Sequence, residues 1–315
     1  MTRGDEVGCG TFVGMSDEGI TREHIEGTRW TGGRIDLHER PTSNDGLYES
    51  KQQYVKLLRE EQERLRKLQR RLFVQGAQAM LIILQGLDTS GKDGIIRHVM
   101  RGFNPQGCRV YSFGPPNNEE IHHDFLWRTT RHLPERGRIA VFNRSEYEEV
   151  LVVRVHPELL APQHVDVKSV EDGSIWTQRY EAIRAHEQHL LASGTHIVKL
   201  MLHVSAEAQA DRLLSRLTNP AKNWKFNESD VEERQYREDY LKAYSECISA
   251  TATLEAPWYV VPADDKRSAR LLAGAIIIEA LERMDLEQPE VSIERAAELA
   301  KIREELEEEL PTLTP

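Results

Sequence analysis

The chain has 315 residues, 39% hydrophobic and 30% charged, which is enough for one large α/β domain with appendages. Its net charge of −11, if evenly spread, would exclude a polyanion-binding surface, but ten acids against three bases between Asp285 and Leu310 hold −7 of it and leave room for a concentrated basic site. No run approaches the ~20 apolar residues of a membrane span, and Cys9, Cys108 and Cys247 lack the spacing of a zinc site or a disulfide framework, so a soluble protein of the reducing cytoplasm is expected, with no membrane partner.

In chain order, residues 1–46 are rich in Gly, Thr and Asp without apolar periodicity and read as a flexible or loosely packed segment that could wrap an edge of the domain. From Tyr48 to Gln75, Tyr54, Leu57, Leu58, Leu65, Leu68 and Leu72 recur at helical spacing and predict a long amphipathic helix that packs on the core or on another subunit. Strands and helices then alternate. Strands are predicted at 79–84, 110–113, 139–142, 197–204 and 258–261, with helices after the first, around 119–132 and over 175–192, so a parallel sheet covered on both faces follows. Ligands of such sheets sit at the carboxyl ends of the strands. Between Val204 and Trp258, two helical patterns flank the hinge Thr218-Asn-Pro-Ala-Lys-Asn-Trp224-Lys225 and read as a lid at about 205–253, capped by Ser205 and by a Ser229/Glu232 box. Arg212 and Arg216 share a helix face there, and with Lys199, Lys222 and Lys225 they make this stretch basic in an acidic chain. Residues 285–315 form an acidic tail read as a solvated helix, with Ile293, Leu299, Ile302 and Leu306 as an apolar stripe.

The most informative stretch is Gly86-Leu-Asp88-Thr89-Ser90-Gly91-Lys92-Asp93-Gly94, which lies between an apolar strand and a helix. Glycines let backbone N–H groups converge on phosphate oxygens, the helix N-terminus adds partial positive charge, and Lys92 reaches the phosphate being transferred. The spacing is that of a phosphate loop, but Asp93 stands where Ser or Thr usually holds magnesium, and Asp88 adds a carboxylate within the loop. A carboxylate among phosphates calls for an intervening divalent cation, so Asp88 reads as a metal ligand or as the group orienting an acceptor oxygen. At the end of the third core strand, Asn143 is neutral where an acid is usual; Arg144 either stabilises the transferring phosphoryl group or pairs with a neighbouring glutamate. Upstream, the helix begun by His122 and His123 carries Arg128 and Arg131, which could face the phosphate rim; the histidines themselves point to different faces and make a poor metal pair, and Trp127 reads as core.

With these residues in place, the chain resembles the polyphosphate kinase type 2 family from about Tyr48 to Met284. The resemblance rests on Gly86-x-Asp88-x-x-Gly91-Lys92, Phe125-Leu126-Trp127-Arg128, Phe142-Asn143-Arg144-Ser145-x-Tyr147-Glu148, Trp224-Lys225 and Ala256-Pro257-Trp258. It implies a three-layer αβα P-loop kinase core over 47–284 with a helical lid, and phosphoryl exchange between inorganic polyphosphate and nucleotides with magnesium or manganese. Carried over by position, Asp88 and Lys92 are the core catalytic pair, Arg144 contacts phosphate, and Arg212, Arg216, Lys222 and Lys225 hold the polymer. Asn143 with Glu148 resembles the subgroup acting on both nucleoside mono- and diphosphates, which places Asn143, Tyr147 and Glu148 at an adenine or guanine nucleotide. Glu146 is unusual where many relatives have Trp or His. A homodimer or tetramer is compatible with the long helix. The rival readings are an ATP-dependent nucleoside or nucleotide kinase and a polyphosphate sensor without turnover. A nucleic-acid enzyme is disfavoured, because aromatic residues do not interleave with the basic ones.

Overall fold

The computed structural model describes residues 20–44, 46–287 and 292–313. Its sheet has six strands: β1 (Arg29–Trp30), β2 (Ala79–Gln85), β3 (Cys108–Ser112), β4 (Ile139–Asn143), β5 (Thr195–His203) and β6 (Trp258–Pro262). Their spatial order is β1-β6-β5-β2-β4-β3, parallel throughout except for the short antiparallel edge β1. Every residue of β2 and β6 is buried, as continuous apolar strands inside an α/β sheet require, whereas edge strand β3 leaves Val110 44% exposed.

Helices flank this sheet in two groups: 51–75 and 92–99 pack on 266–282, while 174–192 packs on 237–251 and on the turn at 146–150. Helix 51–75 starts at Ser50, whose side chain accepts the Gln53 N–H (3.1 Å), and stops at Gly76, whose φ of 63° lets the chain turn away. Tyr54, Leu57, Leu58, Leu65, Leu68 and Leu72 are all buried, so the predicted stripe is the face that packs.

Residues 20–44 are packed and not loose, and they lie on a sheet edge as the segment could be expected to; residues 1–19 lie outside those described. Thr21 caps a helix at Arg22–Thr28, β1 extends the sheet beside β6, and Ile20, Ile25, Ile35 and Leu37 are buried. Each such side chain contributes roughly 1.5–3 kcal/mol, and Ser249 and Ser245 accept the N–H groups of Ile35 and Leu37. Scattered apolar residues without a period concealed this anchoring. The presumed second lid helix is also part of the core: in Arg237–Thr251, Leu241, Tyr244, Cys247 and Ile248 are buried. Ser205 caps helix 206–218 as expected, but Ser229 lies inside its short helix and makes no capping box. The predicted helix around 119–132 is broken into Asn118–Ile121 and Trp127–Thr130. In the C-terminal helix Ile293–Leu313, Leu299, Ile302 and Leu306 are exposed. The Ile293 side chain lies outside what is described. Among the described residues, no helix is long and apolar enough to cross a membrane.

A charged knot closes the core between sheet and helices. Lys199 on β5 is 0% exposed, and its Nζ donates to Glu187 Oε2 (2.7 Å), the Thr251 carbonyl (2.9 Å) and Tyr147 Oη (3.2 Å). Tyr147 in turn donates to Glu187 Oε1 at 2.7 Å. Lys199 is therefore structural and adds no free charge to the basic stretch in which its sequence position places it. Removing one partner strands a buried charge, so Glu187→Ala is expected to lower stability by about 3–5 kcal/mol. The double substitution Lys199→Met with Glu187→Leu should cost far less. Urea denaturation midpoints of the two variants check this.

Candidate active site

Parallel register decides which residues meet. Leu84 of β2 lies opposite Asn143 of β4, and the Arg144 N–H donates to the Leu84 carbonyl at 3.0 Å, so the loop after β2 and the residues after β4 emerge side by side. The loop turns sharply. Gly86 has a φ of 145°, and a Cβ there would sit 2.8 Å from the Leu202 carbonyl oxygen, so only glycine fits. Gly91, at φ 117°, precedes the helix that starts with Lys92, and two non-glycine residues, Thr89 (φ 63°) and Arg144 (φ 64°), also adopt left-handed backbone. Such conformations persist only where surrounding contacts hold them, and they cluster at functional sites.

Lys92 is buried and curls back over the loop, donating to the carbonyls of Gly86 (2.6 Å) and Leu87 (3.3 Å). Burial and then the Arg144 charge pull its ammonium down to about 8, against the opposing pull of Asp88, Glu148 and Asp93. Arg144 bridges two carboxylates, Asp88 Oδ1 at 2.6 Å and Glu148 Oε2 at 3.2 Å. Burial opposes its charge, but Glu148 and Asp88 outweigh burial and raise its pKa. Glu148 is itself raised, by burial first, with Arg144 and Lys92 pulling the other way. Arg144 is thus ion-paired with a neighbouring glutamate and with a loop carboxylate. The Asn143 Nδ2 lies 3.3 Å from Asp93 Oδ1, while Asn143 Oδ1, Thr89 Oγ1 and Ser90 Oγ are buried without a hydrogen-bond partner.

Around the loop lies a cavity of about 490 Å³ lined by residues 88–94 with Asn143, Arg144, Arg212, Arg216 and Lys222. Three cations that the sequence pattern did not reveal, Arg97, Lys266 and Arg270, join them. Burial and then Arg212, Lys222, Arg270 and Arg216 depress the Lys266 pKa, and the cavity's eight cationic side chains face only the carboxylates of Asp88 and Asp93. Lys266 and Arg270 stand four apart at the start of the helix after β6, which is the strand-end rim where ligands of a parallel sheet bind; that spacing was the available signal. A second cavity of about 40 Å³ lies beyond Arg144, which it shares with Asp88, and adds Glu148, Arg237, Tyr240 and Tyr244.

Several expected residues lie elsewhere. Tyr147 is 0% exposed in the charged knot, so it cannot touch a nucleotide in this conformation. Arg128 donates to the Gly114 carbonyl at 2.8 Å, and Arg131 stacks on Trp127 at 4.5 Å; neither lines the loop cavity. Trp127 is only half-buried, with His123 on it at 3.8 Å. Glu146 is 3% exposed, and burial pushes its carboxyl up to about 7. Arg212 is buried and directs its guanidinium to backbone carbonyls instead of facing outward. The Lys225 side chain lies outside what is described.

Residues 48–289 match the Polyphosphate kinase 2 (PPK2) family. A protein of Rhodopseudomonas palustris named ADP-polyphosphate phosphotransferase is 51% identical over 275 residues, 87% of this chain and 95% of its own. One of Meiothermus ruber named AMP/ADP-polyphosphate phosphotransferase is 41% identical, over 84% of this chain and 95% of its own. The crystal structure of Polyphosphate Kinase 2 from Arthrobacter aurescens TC1 superposes with a TM-score of 0.80 at 38% identity, over 89% of this chain and 96% of that one. With a phosphate loop, a converging ring of cations and similarity over most of its length, the chain belongs to the polyphosphate kinase 2 family.

Proposed function

We propose that this protein transfers phosphoryl groups from inorganic polyphosphate to AMP and ADP, yielding ADP and ATP, in the cytoplasm and with magnesium or manganese. The observation that carries this reading is that eight cationic side chains and two carboxylates line the cavity around the loop, in a chain of net charge −11. Such a cavity suits a long polyanion better than a single small phosphate. The name of the R. palustris relative supports polyphosphate and ADP, and that of the M. ruber relative adds AMP.

The donor set fits a hard divalent cation. Asn143 Oδ1, Thr89 Oγ1 and Ser90 Oγ are buried oxygens without partners, with the Asp88 and Asp93 carboxylates lining the same cavity. Among the described residues, no cluster of three His, Cys, Asp or Glu side chains could hold a metal by itself. This suits an ion held through one or two carboxylates, Asp88 and Asp93, with phosphate and water oxygens completing its shell. When bound, it would neutralise phosphate charge and align donor and acceptor.

The remaining chemistry falls to the protein's own residues. A phosphate oxygen of the acceptor is already an adequate nucleophile, so no general base is required. Lys92 and Arg144 stabilise charge on the transferring group, Arg144 exchanging a carboxylate for phosphate oxygens in a bidentate fork. Asp88 and Arg144 wall the loop cavity, where the donor and acceptor phosphates would meet in line. Closure of residues 219–232, the part of the expected lid outside the core and outside helix 206–218, excludes water and suppresses hydrolysis.

The test incubates the protein with magnesium, long-chain polyphosphate and either AMP or ADP, without ATP. ATP from both acceptors is expected; ATP from ADP alone would restrict the acceptor, and transfer from ATP with none from polyphosphate would overturn the reading. Lys92→Ala should lose on the order of 10³-fold in kcat, and near-normal turnover would remove Lys92 from the mechanism. Because Lys92 titrates near 8 in the free enzyme, its charge is present below that pH and lost above it. The pH profile of kcat/KM for polyphosphate should therefore fall through about 8, and Lys92→Arg should move that limb out of range.

A further inference from the structure

We infer that Gln209 and Arg212 are positioning residues that hold the phosphate loop's carbonyls on its outer side and thereby aim its N–H groups at the phosphates. The inference rests on the proposed phosphate-binding role of the loop. Each carbonyl from Gly86 to Ser90 has a donor. Lys92 takes Gly86 and Leu87, the Gln209 Nε2 takes Asp88 (3.2 Å), and the Arg212 Nη1 takes both Thr89 and Ser90 (2.9 Å each). The other Arg212 nitrogen, Nη2, donates to the carbonyls of Ala263 and Asp264 after β6, which ties the loop to the neighbouring strand end.

In a trans peptide the N–H points opposite to the preceding carbonyl. Pinning the Asp88 and Ser90 carbonyls toward helix 206–218 therefore turns the Thr89 and Gly91 N–H groups away from it. The grip also holds Thr89 at φ 63°, a backbone conformation that a β-branched residue disfavours. Gln209 and Arg212 are three apart and share the buried face of the helix, at 4% and 8% exposure. The Gln209 amide is itself oriented, because its Oε1 accepts from Arg237 Nη1 at 3.3 Å. One turn later the helix serves the cavity instead, where Arg216 pairs with Asp230 and lines the wall beside Lys222. The first half of the helix braces the loop, and the second half carries charge toward the polymer.

The two roles separate kinetically. Loss of a brace misplaces the reacting groups, and a displacement of about 1 Å costs on the order of 100-fold in rate. Loss of a polymer contact weakens binding and its salt dependence instead. We would measure kcat, KM for polyphosphate and the salt dependence of KM, together with amide hydrogen exchange of residues 86–94 without substrate, for wild type, Arg212→Met, Gln209→Leu and Lys222→Met. Arg212→Met is expected to lose on the order of 100-fold in kcat, with a rise in KM no larger than that of Lys222→Met, and to exchange its loop amides faster. Lys222→Met should raise KM and flatten its salt dependence. A raised KM with kcat retained in Arg212→Met, or loop exchange identical to wild type, would overturn the inference. Should Arg212→Met fail to fold, Gln209→Leu decides alone: lower kcat and faster loop exchange at an unchanged Tm are expected, and wild-type loop exchange refutes the brace. A wild type inactive with polyphosphate would defeat the functional reading, while the exchange comparison would still decide the brace.

Discussion

The site depends on the parallel pairing of β2 with both β4 and β5. Because Leu84 lies opposite Asn143 and Gln85 opposite Met201, three strands end together and the chain must leave each of them at the same rim. A slip of one residue would turn Arg144 to the other face of the sheet and bury the loop's polar groups against apolar helices. The continuous apolar sequence of β2 makes burial on both faces obligatory, and the helices that satisfy it also aim the loop.

Charge is distributed in the opposite sense to the chain's total. Asp88 of the loop and Glu148 beside it are engaged by Arg144, while Arg97, Lys266 and Arg270 add cations from two helices. Residues 285–310, which run into the exposed helix 293–313, hold −7 of the −11. Interactions between exposed charges are screened beyond roughly 10 Å, so an acidic tail and a basic cleft coexist in one molecule. Net charge describes solubility here and not the ligand.

Two kinds of cation look alike in sequence and serve opposite purposes. Lys199 and Arg212 each lie in the basic stretch that follows His196, yet Lys199 is neutralised by Glu187 inside the core and Arg212 is consumed by carbonyls. Arg216 and Lys222 line the cavity. Which case holds depends on what faces each residue from other elements, such as the loop carbonyls brought to helix 206–218. Tyr147 illustrates the same point. It is adjacent to Glu148, but the turn at 146–150 sends its ring under Trp258 (4.8 Å) and its hydroxyl to Glu187.

Local physics makes much of this protein legible from its sequence. The strand, glycine turn and Lys92-led helix are consecutive, so their geometry follows from short-range backbone preferences, and the stripe from Tyr54 to Leu72 follows from a period of 3.6. Alternation of apolar strands with helices is likewise sufficient for a mostly parallel sheet. Tertiary structure alone decided the anchoring of residues 20–44 on β6, the core role of helix 237–251, the joining of Arg97, Lys266 and Arg270 to the cavity, and the withdrawal of Tyr147, Arg128 and Arg131 from it. The physical reason is range. Propensity, capping and periodicity act within a few residues, whereas burial and partnership of a side chain are fixed by elements far apart in the chain, as when Ser249 receives the N–H of Ile35 from 214 residues away.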